Sequence, residues 1–174
     1  ITDELLDANR AEHLLRREAD IAIRMVRPTQ AALVARKIGT IHLGLHAHPS
    51  YIAKHGAPKS IEEIPSHAIV GFDREPSVRR LEGLGMPISR DLFAFRCDSD
   101  VTQYAAQRAG FGVGFCQIAL AKRDGLVPIL PSVIGFELDV WVAMHEDLKT
   151  SRRMRLMFDH LVEHLAAYIA SENR

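Results

Sequence analysis

A strand, a capped helix and a second strand fill the first 25 residues, and this order restricts the fold more than any other feature of the chain. Glu4-Leu5-Leu6-Asp7-Ala8 is a short strand candidate that stops at Asn9. Asn9 and Glu12 have the spacing of a capping box, so a helix is expected from about Arg10 to Glu18, with Leu14 and Leu15 on it. Asp20-Ile21-Ala22-Ile23-Arg24-Met25 then gives a compact apolar run like a strand buried on both faces. A parallel pair of strands needs a crossover of about a dozen residues or more, and a helix supplies it. This opening is therefore expected to be a βαβ unit with parallel strands.

The alternation continues to the end. After a turn at Arg27-Pro28-Thr29, residues Ala32–Ile38 and Thr40–His46 read as two strand segments separated by Gly39. His48-Pro49-Ser50 opens a short helix that Gly56 stops, and Ser60–Pro65 is a brief further turn of helix. Ala68–Phe72 and Leu92–Cys97 are strands, while residues 73–90 show no clear period. Asp98, Ser99 and Asp100 offer three capping groups for a helix over Val101–Ala109, whose inner face is expected to be Val101, Tyr104, Ala105 and Ala109. Gly110 ends that helix, and Gly112–Cys116 returns as a strand before a helix reaching Lys122. Leu126–Leu130 and Phe136–Met144 follow as strands. The last helix runs from about Ser151 to Ala170, with Met154, Met157, Phe158, Leu161, Leu165, Tyr168 and Ile169 at helical spacing. Strands alternating with helices throughout predict an α/β fold with mostly parallel sheet.

Charge narrows the function. Lys plus Arg and Asp plus Glu both number 22, so the 174 residues carry no formal net charge. A duplex-binding surface normally has a basic excess, because neutralising phosphates supplies most of its affinity. The chain itself is therefore not expected to contact DNA. Cys97 and Cys116 are too few for a disulfide framework and point to free thiols in a cytoplasmic protein. No apolar run approaches the ~18 residues of a membrane span, and no signal-peptide pattern opens the chain. It begins at Ile1 and not Met, as expected either of a fragment or of a chain without its disordered start.

Several motifs bear on chemistry. His42, His46 and His48 alternate along a strand, but no matching Cys, Asp or Glu set accompanies them, so no metal site is expected. Gly110-Phe111-Gly112-Val113-Gly114 has the glycine density of a dinucleotide fingerprint, yet it leaves a helix and enters a strand, the reverse of what phosphate binding needs. No Gly-x-Ser-x-Gly elbow is present. Arg152, Arg153 and Arg155 at the start of the last helix read as a solvated cluster. Neither an enzyme nor a cofactor is expected.

Segments in a shared order resemble the LysR-type transcriptional regulators. They are Leu14-Leu15-Arg16-Arg17-Glu18-Ala19-Asp20-Ile21-Ala22-Ile23-Arg24, Ala47–Pro58 with its Tyr51 and His55-Gly56-Ala57-Pro58, Ile64–Phe72, Ala109–Gly114, Met144–Lys149 and Arg155–Leu161. Leu33–Gly39 is similar to the segment that crosses between lobes in that family. Gln117 departs from the proline often found after the glycine-rich strand. The resemblance implies an effector-binding domain of two α/β lobes joined by two crossover strands, like type II periplasmic binding proteins. Lobe I would be residues 1–39 plus 134–174, and lobe II residues 40–133. The family's first strand and helix, and a winged helix-turn-helix, would lie before Ile1. It further implies a small-molecule effector held between the lobes, self-association as a dimer or tetramer through Val101–Ala109 and Glu4–Ala8, and DNA binding only through the preceding domain. A solute-binding protein of a transport system is the alternative with the same fold.

Ligands of open α/β sheets bind beyond the carboxyl ends of strands. Three such places are expected to face the cleft: Arg24, Met25 and Val26; Gly71, Phe72 and Asp73; and Asp98, Ser99, Asp100, Val101 and Thr102. The last set begins a helix, where N–H groups favour an anion and the Ser99 and Thr102 hydroxyls add donors. The same residues also read as plain helix caps, and both roles are compatible. Arg24 suits a carboxylate from the effector or from the protein equally well. A small organic acid or an aromatic compound is the expected effector class.

Overall fold

The computed structural model describes residues 19–74 and 88–172. The expected strand Glu4–Ala8 and helix Arg10–Glu18 lie outside the described residues, as does most of the stretch without a period. The chain groups into two compact units. One takes the chain up to Ile41 together with Glu137–Arg174, and the other takes His42–Phe136. Two long strands, β2 (Leu33–Ala47) and β7 (Gly135–His145), contribute residues to both.

In the first unit, β1 (Ile21–Arg24) pairs antiparallel with β7, Ile21 opposite Met144 and Arg24 opposite Trp141, and β2 follows on the other side of β7. The helix α4 (Arg152–Glu172) forms on the apolar spacing seen in the sequence. It lays Phe158 and Val162, with Leu161 and Leu165, into one core with Val142 and Met144, joined by Ile21, Val34 and Ile38. Side chains of this size contribute about 1.5–3 kcal/mol each when fully buried. Gly39, expected to separate two strands, lies inside the single strand β2. A Cβ there would stand 2.9 Å from Cγ2 of Ile169 on α4, so glycine serves close packing of helix on strand and does not interrupt the backbone.

In the second unit, β5 (Val113–Gln117) and β6 (Val127–Ile129) pair antiparallel with β2, and β3 (Ile69–Gly71) pairs parallel with both β5 and β4 (Phe93–Arg96). The helices are α1 (Pro49–His55), α2 (Asp100–Arg108) and α3 (Ile118–Arg123). Leu45, Tyr51, Ile64, Ile69, Phe93, Val113, Ile129 and Ile134 form the core. The sheet is thus mixed. Parallel pairing occurs where α2 returns the chain from β4 to β5, and the two long strands meet their other neighbours antiparallel. Among the described residues no helix is long and apolar enough to cross a membrane.

Candidate functional site

The ends of β3 and β4 and the start of α2 are fastened together in the second unit. The Cys97 N–H donates to the Gly71 carbonyl at 2.9 Å, which extends the β3–β4 contact by one residue. Asp98 then turns back: its Oδ1 accepts the backbone N–H groups of Asp73 (3.3 Å) and Arg74 (3.2 Å), and its Oδ2 pairs with the Arg74 guanidinium at 3.3 Å. Arg90 donates to Asp73 Oδ1 from Nη2 at 2.6 Å, and Arg96 stands 3.9 Å from the same oxygen. Three arginines therefore face Asp73 and Asp98. Asp73 and Asp98 thus carry their own counter-charges, which weakens their repulsion of an anion at this end of the sheet.

Ser99 is the cap of α2, its Oγ accepting the Thr102 N–H at 3.4 Å. Asp98 is committed to the β3 loop. The buried side of α2 differs from the expected one: Val101, Ala105 and Ala109 are exposed, Val101 by 69%, while Gln103 and Gln107 are buried. The amides explain the reversal. Gln103 Nε2 donates to the Cys97 carbonyl at 2.6 Å and Gln107 Nε2 to the Phe115 carbonyl at 3.1 Å, so each polar group fastens the helix to a strand end. Gly114 leaves room for the second, since a Cβ there would stand 2.6 Å from Gln107 Nε2.

Arg24, Met25 and Val26 lie in the first unit. Arg24 ends β1 and is partly buried, which lowers its pKa by desolvation; Met25 and Val26 follow it and are exposed. Phe72 packs partly buried on the core of the second unit. The structure thus brings Phe72 and Asp98–Thr102 to one place and sets Arg24–Val26 in the other unit. Arg74, Arg90, Arg96 and Gln103 were not named from the sequence. Their partners lie 6 to 24 residues away in the chain, with no period between to signal them.

A LysR substrate binding domain model matches residues 4–166. The chain belongs to that family. Among curated relatives it is 28% identical over 161 residues to the HTH-type transcriptional regulator CrgA of Neisseria meningitidis, covering 88% of this chain and 54% of that protein. It is 25% identical over 176 residues to the Escherichia coli regulator YhjC, covering 95% and 58%. The chain spans little more than half the length of these relatives. Among solved structures, the CrgA regulatory domain superposes with a TM-score of 0.78 at 27% identity, covering 91% of this chain and 81% of that one. The full-length Vibrio cholerae virulence activator AphB has the same fold, with a TM-score of 0.68 at 22% identity, covering 92% and 57%. These findings do not favour a transport protein.

Within this LysR domain the glycine-rich segment is structural. Gly110 has φ +75°, the left-handed conformation that ends a helix, and a Cβ on Gly112 would collide with the Ala68 carbonyl oxygen. Gln117 has φ −63°, a value proline also adopts, so the departure from the family's common proline leaves the strand-to-helix turn intact. The histidines separate. His42 is exposed, His48 caps α1 by accepting the Ser50 N–H, and His46 is buried with Nδ1 2.9 Å from the Gly44 carbonyl. Among the described residues no group of three or more metal-ligating side chains exists.

Proposed function

We propose that this LysR domain senses a small organic effector at the fastened junction of β3, β4 and α2, with Ser99 and Thr102 supplying hydroxyls and the first turn of α2 its N–H groups. The two compact units are read as the two lobes, and Arg24, Met25 and Val26 as a separate set of candidate contacts within the first unit. The observation that carries this reading is the Asp98 link. It ties the loop after β3 to the loop before α2 without using the helix's own cap, and it gives Asp98 an arginine as counter-charge. Binding would regulate only if the effector's affinity differed between two arrangements of the protein.

The relatives are named HTH-type transcriptional regulators, which supports reading the whole protein as a cytoplasmic DNA-binding regulator and not an enzyme. The apolar outer face of α2, Val101, Ala105 and Ala109, supports self-association through that helix. Sedimentation across micromolar concentrations tests it, and a monomer throughout would remove the assignment.

A ligand library screened by thermal shift tests the site. A binder should raise the melting temperature by mass action, and S99A and T102A should abolish the shift. An unchanged shift in both variants would overturn the helix-start assignment.

A further inference from the structure

Trp141 is the single tryptophan of the chain. Its indole N–H is buried with no hydrogen-bond partner, a state native structures rarely leave unexplained. Arg24 is its cross-strand partner in the β1–β7 register, and directly opposed residues extend their side chains to one face about 5 Å apart. The Arg27 guanidinium carbon lies 5.7 Å from the Trp141 ring centroid. Among the described residues neither arginine has a carboxylate partner. The acid nearest along the strand is already engaged: Asp139, two residues before Trp141 on β7, takes Lys37 at 2.7 Å and the Thr40 hydroxyl at 3.0 Å. Burial lowers the pKa of Arg24, and among the described residues no neighbouring anion offsets it.

Two cations and a buried neutral donor beside one aromatic ring, with no anion of their own among the described residues, make a site for an anion. Arginine's planar fork matches a carboxylate, and the indole N–H adds a donor that carries no charge. We propose that Arg24, Arg27 and the Trp141 N–H form a carboxylate-anchoring subsite in the first unit, so that the effector of this domain is an organic acid. This rests on the effector-sensing reading above and adds the ligand's charge and the residues that hold it.

Trp141, being alone, reports on its own site. Acetate, succinate, benzoate and salicylate are titrated into the chain at constant ionic strength and at up to millimolar concentrations, with their amides and sodium sulfate as controls. At least one carboxylate should change Trp141 emission saturably, and its amide and sulfate should not. R24Q and R27Q should each weaken that titration about tenfold or more, and R24K should recover part of it. The proposal is overturned if no carboxylate alters the emission, if amide or sulfate acts alike, or if both glutamine variants titrate like the parent. Should R24Q fail to fold, R27Q, at an exposed position, decides.

The two readings fail separately. A compound that raises the melting temperature of the parent and of both glutamine variants alike sinks the carboxylate subsite and leaves effector sensing standing. A carboxylate that moves Trp141 emission equally in S99A and T102A keeps the subsite and removes the helix-start assignment.

Discussion

Asp98 holds Arg74 twice, its Oδ1 accepting the Arg74 backbone N–H at 3.2 Å and its Oδ2 meeting the guanidinium at 3.3 Å. The same Oδ1 accepts the Asp73 N–H, so one carboxylate ties the loop after β3 to the loop before α2. The Asp98 side chain is 24% exposed, which leaves these charge-assisted bonds partly shielded from water. Asp98→Ala is expected to cost about 1–3 kcal/mol of stability, measured by urea unfolding. Asp98→Asn, which keeps an acceptor oxygen but loses the charge, should cost less. Equal costs for the two would show that the carboxylate's charge plays no part.

His46 predicts a stability loss in mild acid. It is 4% exposed, and burial lowers its pKa from 6.5, while its bond to Gly44 opposes the shift in part. With the folded pKa below the unfolded one, the unfolded chain binds the proton first as pH falls. Stability should therefore be complete above about pH 6.5 and decline below it until the folded pKa is reached. The limiting slope is about 1.4 kcal/mol per pH unit for one proton. Unfolding midpoints taken through this range check it, and His46→Gln should remove this component; an identical slope in the variant would assign the loss elsewhere.

Cys116 should be inert in the folded chain. Burial, with a smaller contribution from Asp124, pushes its thiol pKa up to about 12, and the thiolate is the reactive species. Iodoacetamide at mildly alkaline pH, followed by mass spectrometry, should leave Cys116 unmodified in native protein and label it once denaturant is added. Labelling in the native protein would contradict the burial seen for it.

Gly112→Ala is expected to destabilise by about 1–3 kcal/mol through overpacking. The new methyl would meet the Ala68 carbonyl oxygen, which is backbone and already accepts the Val113 N–H at 2.9 Å. Gly125→Ala is the contrast: nothing lies near its Cβ position, and only the strain of φ +70° opposes the change. A lower urea midpoint for Gly112→Ala than for Gly125→Ala is the expected order. The reverse order would mean that backbone conformation, not contact, governs these glycines.

Much of the architecture was readable before the structure. The Ser99 cap, the Gly110 stop and the spacing of Phe158, Leu161, Leu165 and Ile169 are local signals, and local signals survive in sequence. The buried side of α2 was misjudged because hydropathy ranks Gln103 and Gln107 as outward residues. Their burial depends on carbonyls of Cys97 and Phe115 in other elements, and periodicity carries no information about acceptors. The break expected at Gly39 failed for a similar reason. Glycine marked a close approach by Ile169, from a helix 130 residues later in the chain. The candidate site divided in the same way. The loops at strand ends could be named from the sequence, but the arginines that balance Asp73 and Asp98, and the Arg24–Trp141 pairing, could not.

The sequence by itself determined that strands and helices alternate, where most of them begin and end, and which regulator family the ordered segments match, because caps, turns and spacing act between near neighbours. Tertiary structure decided which face of α2 is buried, that β2 runs unbroken, and which charges meet. Each of those outcomes depends on a hydrogen bond, an ion pair or a close contact between residues distant along the chain, and such partners are chosen only when the chain folds.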